Sequence, residues 1–323
     1  MMMFNKDKDM ENNPQWERSV LEKVALASVV EQRRSRRWSI FFKLLFLAYI
    51  VFISILTMSP LTDGTAISRG SHTAVVDVKG VIVSGGQADA ESIIKSINSA
   101  VKDPNTKGVI LRVNSPGGSP VQSSYVYEAI RDIKKNNPDM PIHAVVEDIC
   151  ASGCYYIASA ADKIFVNQSS IVGSIGVVMN GFGFTESMKM LGIERRLYTA
   201  GEHKGFLDPF SKVNSSEKAH VKKMLNDIHH EFIQSVKAGR GDRLTDNSDL
   251  FSGLVWAGSK SIQLGLTDAI GNAQSVAKNE IGEEKIVDFT SQPPFIERLT
   301  KGMGGAMAEL IAKLSTQYNA SWH

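Results

Sequence analysis

The sequence has little cysteine: Cys150 and Cys154 are its only two in 323 residues. Two cysteines cannot form the framework of several bridges that stabilises small secreted domains. No cluster of histidines and carboxylates beside them completes a metal site. A bridge across the intervening turn is possible in an oxidising compartment, but we expect two small side chains packed in a core.

The sequence also lacks a strong charge of either sign. Its 36 basic and 34 acidic residues leave a net charge of +2, which gives no reason to expect nucleic acid as a partner. Internal repeats and long low-complexity tracts are absent as well. We therefore expect one catalytic domain per chain, with a core of ordinary size.

Long apolar runs are scarce too, with one exception at residues 38–58. A helix of about 20 apolar residues can span a bilayer. Four arginines precede the run, at positions 33, 34, 36 and 37, and the positive-inside rule keeps them cytoplasmic. The pattern predicts an uncleaved transmembrane anchor with residues 1–37 in the cytoplasm and the later chain translocated. The alternative, a cleavable signal peptide, would normally have a shorter apolar region.

Beyond the anchor, residues 59–71 are polar and predict a linker. From residue 72 to about 290, β-branched runs alternate with segments of helical periodicity. This alternation predicts an α/β domain with a mostly parallel sheet. It also predicts a strand before the loop with Lys204, a long helix over 215–241 that opens on a serine cap, and a helix over 259–271. The tail, residues 291–323, is amphipathic. We expect it to dock on its own domain; a neighbouring protein or the membrane surface are the alternatives.

Two strand-to-helix turns are candidates for chemistry. In "LRVNSPGGSP", Gly117 and Gly118 allow backbone N–H groups to converge on an oxyanion, although the turn could equally be an ordinary connection. In "EDICASGCYYIA", Ser152 lies where a strand becomes a helix, beside the N–H of Gly153. A helix-capping serine and a nucleophile both suit that position.

A nucleophilic serine needs a base. None of the seven histidines falls in a motif that pairs it with a serine and a carboxylate, although His203 stays open. Its neighbour Lys204, in "YTAGEHKGFLDPF", is the better candidate. A lysine accepts a proton only when burial or a nearby positive charge keeps it neutral, and an isolated lysine is usually a solvated surface charge.

Five motifs in order carry a resemblance: "VNSPGGS", "ASGCYYIA", "IVGSIGVV", "GEHKGFLDPF" and "GLVWAGSKSIQLGLTDAIG". Across residues 72–280 the chain resembles the signal peptide peptidase A family of membrane-bound Ser/Lys proteases, short single-domain type. The resemblance implies a crotonase-like (ClpP-like) α/β fold. It makes Ser152 the nucleophile and Lys204 the general base, with Gly153, Gly117 and Gly118 at the oxyanion-binding positions. It places Ser174 beside the dyad, where we expect a hydrogen bond to the lysine amine.

The resemblance further implies a homo-oligomeric ring whose active sites take serine and lysine from neighbouring protomers. It implies peptide substrates, above all signal peptide remnants, a bacterial inner-membrane location with the catalytic domain outside the cytoplasm, and no metal or cofactor. Cys150 and Cys154 depart from the family pattern, and a bridge between them would distort the nucleophile turn. A membrane-protein quality-control protease, a catalytically silent scaffold and an acyl-CoA enzyme are the alternatives, but a translocated domain would meet no acyl-CoA.

Overall fold

The computed structural model describes residues 14–58 and 70–291. The chain divides into two units, residues 1–62 and 63–323. In the first unit, helix α1 runs from Pro14 to Met58 and contains the basic cluster and the apolar run. The linker, the first residues of the cytoplasmic segment and nearly all of the C-terminal tail lie outside the described residues.

Helix α1 has large apolar side chains on its surface, including Phe46, which is 64% exposed. Among the residues that the structure describes, no helix is both long enough and apolar enough to cross a bilayer. The transmembrane segment at residues 38–58 therefore stays a prediction.

The second unit is built on one mixed, mostly parallel sheet of eight strands in the order β6-β5-β3-β2-β1-β8, with β4 and β7 extending from β3. The pair β5–β6 is antiparallel and the other strand pairs are parallel. The strands are β1 His72–Lys79, β2 Thr106–Ser115, β3 Ile142–Ala151, β4 Ile164–Val166, β5 Ile171–Gly173, β6 Val255–Ala257, β7 Ala269–Ile270 and β8 Ile286–Asp288. The predicted α/β class and parallel pairing are confirmed.

Helices cover both faces of this sheet. The helices of this unit are α2 Ala90–Lys102, α3 Pro120–Asn136, α4 Gly153–Ala158, α5 Thr185–Met190, α6 Ser215–Arg240, α7 Gly258–Gln263 and α8 Ala273–Val276, of which α5 buries no residue. A π-helix, Ala277–Ile281, continues α8. The larger core packs α2, α3, α4 and part of α6 on one face. A smaller core packs α8 and the π-helix on the other.

Local sequence explains where the helices that lead to the site begin. The Ser119 side chain caps α3 and Pro120 is its first residue, a position where the missing N–H of proline has no cost. The Asp89 side chain caps α2 in the same way. These caps fix α2 and α3 directly after the loops that leave the sheet.

Two sequence predictions about helices of the second unit are wrong. The expected helix over 259–271 ends at Gln263, and Ala269–Ile270 is strand β7. Gly265 breaks it: it has φ +75°, and a Cβ there would lie 1.7 Å from the Arg243 carbonyl oxygen. The long helix α6 is capped by Asn214 and not by a serine, since the Asn214 side chain accepts the N–H of Glu217.

Candidate active site

Ser152 lies at the sharp turn between the end of β3 and the start of α4. Its backbone has φ 53° and ψ −123°, a left-handed conformation that costs a residue with a side chain energy. Its N–H donates to the Gly173 carbonyl at 2.8 Å, and its own carbonyl accepts the N–H of Tyr156 at 3.0 Å. The side chain makes no capping hydrogen bond to α4. Ser152 therefore does not cap α4 through its side chain, and its hydroxyl is available for chemistry.

The loop from β2 to α3 packs directly against this turn. Gly117 has φ +99°, and a Cβ on it would lie 2.8 Å from both the Ser152 Cβ and the Gly153 nitrogen. Gly118 has φ +155°, and a Cβ there would lie 2.1 Å from the Ile82 carbonyl oxygen. Only glycine permits both the conformation and the close approach.

The backbone donors around Ser152 differ in whether they are already used. The Gly117 N–H donates to the Ser115 hydroxyl at 3.1 Å. The N–H groups of Gly118 and Gly153 have no acceptor among the described residues, and a Cβ on Gly153 would lie 3.3 Å from the Gly118 nitrogen. The pair Gly118 and Gly153 can therefore bind a negatively charged carbonyl oxygen, while Gly117 shapes the turn.

Ser174 lies next to this turn because β3 and β5 pair in parallel. Ala151 is opposite Gly173, which brings the residues that follow, Ser152 and Ser174, to the same edge of the sheet. Ser174 also has a positive φ, 54°, and its N–H donates to the Leu254 carbonyl at 2.7 Å. The expected hydrogen bond from Ser174 to the Lys204 amine is not made within the chain.

Cys150 and Cys154 form a disulfide across the turn. The expectation of two separate packed thiols is wrong, because β3 and α4 bring the two Cα atoms to 5.1 Å, inside the range that a bridge requires. Both residues are fully buried in the larger core. The turn retains its strand–serine–helix form with the bridge present.

A groove of about 590 Å³ opens beside Ser152. Its walls come from the N-terminal turn of α3, from α4, from α6 and from the residues after β5. Its apolar lining residues are Pro120, Val121, Tyr156, Val177, Val178, Ile228 and Phe232. The apolar walls that the sequence predicted in "YYIASA" and "VVMNGFGF" thus lie partly in the groove, together with residues of α3 and α6 that sequence reasoning missed.

Lys204 and His203 lie elsewhere in the same unit, in a run of chain that is solvent-accessible throughout. No residue from Gly176 to Glu231 is buried. Both side chains are exposed, and neither residue lines the groove. The Lys204 N–H closes a turn on the Gly201 carbonyl at 3.1 Å. The expected strand before this turn does not form.

We call residues 178–214 the exposed arm. Its own contacts are local: the rings of Phe184 and Phe210 stack at 5.6 Å, and Arg195 pairs with Asp208 at 3.3 Å. A hydrogen bond from the Ser211 hydroxyl, with further ones from the Phe210 N–H and Arg195, lowers the pKa of Asp208 against a small opposing effect of desolvation. The arm therefore has some internal order but leaves Lys204 exposed and outside the groove that Ser152 lines.

Ile82 and Ser123 support the site and were missed by sequence reasoning. Ile82 accepts the N–H of Ser119 at 2.8 Å and donates to the Gly117 carbonyl at 2.9 Å, which holds the glycine loop. Ser123 is buried, and a Cβ on Gly153 would meet its hydroxyl at 2.4 Å. Neither residue belongs to a motif with a chemical signature, so only three-dimensional packing identifies them.

In residues 14–58 and 70–291, no group of three or more histidine, cysteine or acidic side chains is arranged to hold a metal ion. The chemistry available at the turn is therefore that of the hydroxyl and the two N–H groups. A serine on a strained strand-to-helix turn, beside free backbone donors and an apolar groove, is the arrangement typical of serine hydrolases.

Comparison with known proteins narrows this class. The model of peptidase family S49 matches residues 134–286, which include Ser152 and Lys204. An Enterococcus faecium protein with the provisional name signal peptide peptidase SppA is 28% identical over 240 residues, covering 71% of this chain and 69% of that protein. Protease 4 of Haemophilus influenzae is 32% identical over 211 residues, covering 62% of this chain and 32% of that protein. Residues 134–286 thus match the S49 peptidases, and the chain is similar to proteins named signal peptide peptidase SppA and protease 4.

A further relative has a different name. A Brucella abortus protein named Na(+)/H(+) antiporter NhaA is 40% identical over 236 residues, which are 71% of this chain and 32% of that protein. The chain thus spans about a third of the length of the Brucella protein.

Proposed function

We propose that this protein is a serine endopeptidase in which Ser152 attacks a peptide carbonyl and the N–H groups of Gly118 and Gly153 bind the resulting oxyanion. The observation that carries the proposal is the geometry of the turn. Ser152 holds a strained left-handed conformation, its hydroxyl caps nothing, and two unused backbone donors line the same groove. A serine that served only as a helix cap would need none of these features.

The reaction has two steps. Neutral Lys204 accepts the Ser152 proton as the hydroxyl oxygen bonds to the carbonyl carbon, and the negative charge forms on the carbonyl oxygen. Collapse of this intermediate breaks the peptide bond, and Lys204 returns its proton to the leaving amine, which leaves an acyl-enzyme. A water molecule then gives a proton to Lys204 as its oxygen attacks the ester carbonyl. Collapse of this second intermediate breaks the ester bond, and Lys204 returns the proton to the Ser152 oxygen, which releases the acid and restores the hydroxyl and the neutral amine.

Lys204 must come from a second copy of the chain for this mechanism to work. In one chain it is exposed on the arm and does not line the groove. The arm also exposes large apolar side chains: Phe182 and Met190 are each 82% exposed, which is typical of a surface that another protein covers. We propose a homo-oligomeric ring in which each arm delivers Lys204 to the neighbouring Ser152.

The proposed substrates are apolar peptides, above all signal peptide remnants, because the groove walls are mostly apolar side chains. We propose anchoring by residues 38–58 in the bacterial inner membrane, with the catalytic domain outside the cytoplasm. A buried disulfide agrees with an oxidising compartment. The antiporter name belongs to the whole Brucella protein, of which the aligned stretch is 32%.

The test is complementation between inactive variants of the full-length protein in detergent. Ser152→Ala and Lys204→Ala are each assayed on a fluorogenic apolar peptide, separately and then after mixing and reassembly. Each single variant should lose activity by at least about a thousandfold, and the mixture should recover part of it. His203→Ala is the matched control on the same turn and should keep activity.

Full activity in Lys204→Ala would contradict the dyad and favour His203 as the base. Two inactive variants that never complement would contradict the shared site. A wild-type protein without peptidase activity would favour the silent scaffold.

A further inference from the structure

The groove beside Ser152 has one charged side chain among neutral walls. Of its described lining residues, Glu231 alone has an acidic or basic side chain. It precedes Phe232 in α6, and the Phe232 ring packs against Tyr156 with 4.9 Å between ring centroids. Phe232 is buried and Glu231 is exposed. The carboxylate therefore stands at the open edge of an apolar wall.

Glu231 is also unpaired. Its carboxylate forms no ion pair and no hydrogen bond with any residue in the described parts of the chain. Two glutamates elsewhere on this unit are paired: Glu147 with Lys79 at 3.3 Å and Glu280 with Lys163 at 2.6 Å. An unpaired carboxylate at the edge of a groove can accept a cationic partner without first losing one.

A side chain that suits both parts of the groove has an aliphatic stem and a cationic end. Lysine and arginine have this form: the stem can pack on Tyr156 and Phe232 while the charged group reaches Glu231. Gly118 and Gly153 line the same groove as Ser152. A carbonyl bound by their N–H groups therefore directs the side chain of its own residue toward the groove.

We propose that Glu231 is a specificity residue that favours lysine or arginine at the residue whose carbonyl is attacked, within otherwise apolar peptides. This inference rests on the proposed peptidase function and deepens it by defining the substrate class. Glu231 is not required for the chemical step. It contributes binding energy for one kind of side chain.

The experiment uses the full-length protein in detergent and two coumarin-amide peptides that differ only in the residue before the coumarin. One has lysine there, and the other has norleucine, which has the same four-carbon stem without the amine. Glu231→Gln should lower kcat/KM for the lysine peptide about tenfold, because one charge-assisted contact is lost, and should leave the norleucine peptide unchanged. Added salt should weaken the wild-type preference for lysine.

Glu217→Gln is the matched control, since Glu217 is the other glutamate of the same helix, is half-buried in its first turn and does not line the groove. It should cleave both peptides like the wild type. An equal loss on both peptides in Glu231→Gln would overturn the inference and assign the carboxylate to the catalytic groups or to folding. An unchanged ratio of kcat/KM between the lysine and norleucine peptides in Glu231→Gln would overturn it too. If the wild type cleaves the norleucine peptide and this ratio does not change in the variant, the proposed function survives without this inference. If the wild type cleaves neither peptide, both fail.

Discussion

The two halves of the proposed dyad lie in opposite kinds of structure. Ser152 lies between β3 and α4, where Cys150, Cys154 and Tyr155 are fully buried. Lys204 lies on the exposed arm, in a run of chain without a single buried residue. The serine half is thus buried by the chain itself, whereas the lysine half is held by the local turn, ring stack and ion pair of the arm.

This contrast shows what each half needs from the sequence. The serine half depends on a few positions where no other side chain fits, because backbone segments approach within atomic contact. The arm has open space around several of its glycines: a Cβ on Gly181 or Gly183 would meet nothing within 4 Å. Substitutions should therefore act on folding and chemistry in the first region, and on assembly in the second.

Among the substitutions compared below, Gly118→Ala should have the largest effect on peptidase activity. The new Cβ would lie 2.1 Å from the Ile82 carbonyl oxygen at a backbone φ that alanine rarely adopts. The loop must therefore move, and the Gly118 N–H, one of the two proposed oxyanion donors, moves with it. We expect peptidase activity to fall by at least about a hundredfold and the free energy of unfolding to fall by about 2 kcal/mol. Activity assays and denaturant unfolding measure the two effects.

Gly183→Ala on the arm is the control for that substitution and should change neither quantity. If Gly118→Ala kept wild-type activity, the glycine loop would not be part of the oxyanion site, and the comparison of the two regions would lose its basis.

The sequence could predict the serine half well because its signals are local. The glycine pair, the small residues around Ser152 and the alternation of strands and helices each follow from short-range rules. The hydrogen bond from the Gly117 N–H to the Ser115 hydroxyl could not be predicted, because it depends on the conformation of the folded loop. The disulfide was also missed: two cysteines four apart become bridgeable only when the turn between them is this sharp.

A second prediction compares the ion pairs of the two regions. Arg240 is 1% exposed and contacts Asp268 at 2.7 Å, and Asp268 also accepts the Ile164 N–H at 2.7 Å. Asp268→Asn leaves the guanidinium buried without its counter-charge, so we expect a loss of about 3 kcal/mol in the free energy of unfolding. The matched variant Asp208→Asn, in the arm's pair with Arg195, should change the unfolding midpoint less, because the Arg195 side chain is 40% exposed and keeps water as a partner.

The same pair makes stability depend on pH. Burial alone would raise the pKa of Asp268, but the hydrogen bond and charge of Arg240, with the Ile164 N–H and Arg243, outweigh it and lower the pKa below the ordinary 3.8. A lowered carboxyl pKa stabilises the fold above that ordinary value, and the contribution is lost as the pH falls through the pKa of the folded state. Unfolding midpoints between pH 5 and about pH 2 should therefore decline less steeply in Asp268→Asn than in the wild type. If the unfolding midpoints of the two proteins declined in parallel, groups other than Asp268 would be responsible for the loss of stability in acid.

The lysine half could be predicted from sequence only through its resemblance to a family. Nothing in "GEHKGFLDPF" distinguishes Lys204 from a solvated lysine, and the single chain places it in solvent. Local rules even predicted a strand before it that does not form. The physical reason is that the conformation of such a segment depends on a surface that is not encoded nearby in the chain.

Phe182→Ser should have the smallest effect on the free energy of unfolding, and it is the substitution that tells most about the arm. Phe182 is 82% exposed, so Phe182→Ser removes little buried area within its own chain and should change the free energy of unfolding by less than about 0.5 kcal/mol. If a second copy covers this ring, the same substitution should weaken assembly, measured by sedimentation, and lower activity at low protein concentration. Val126→Ala, at a fully buried position of α3, should show the reverse: lower stability by about 1 to 2 kcal/mol with assembly unchanged. A Phe182→Ser protein that lost as much stability as Val126→Ala would mean that the arm is packed on its own domain, and Lys204 would then need another route to Ser152.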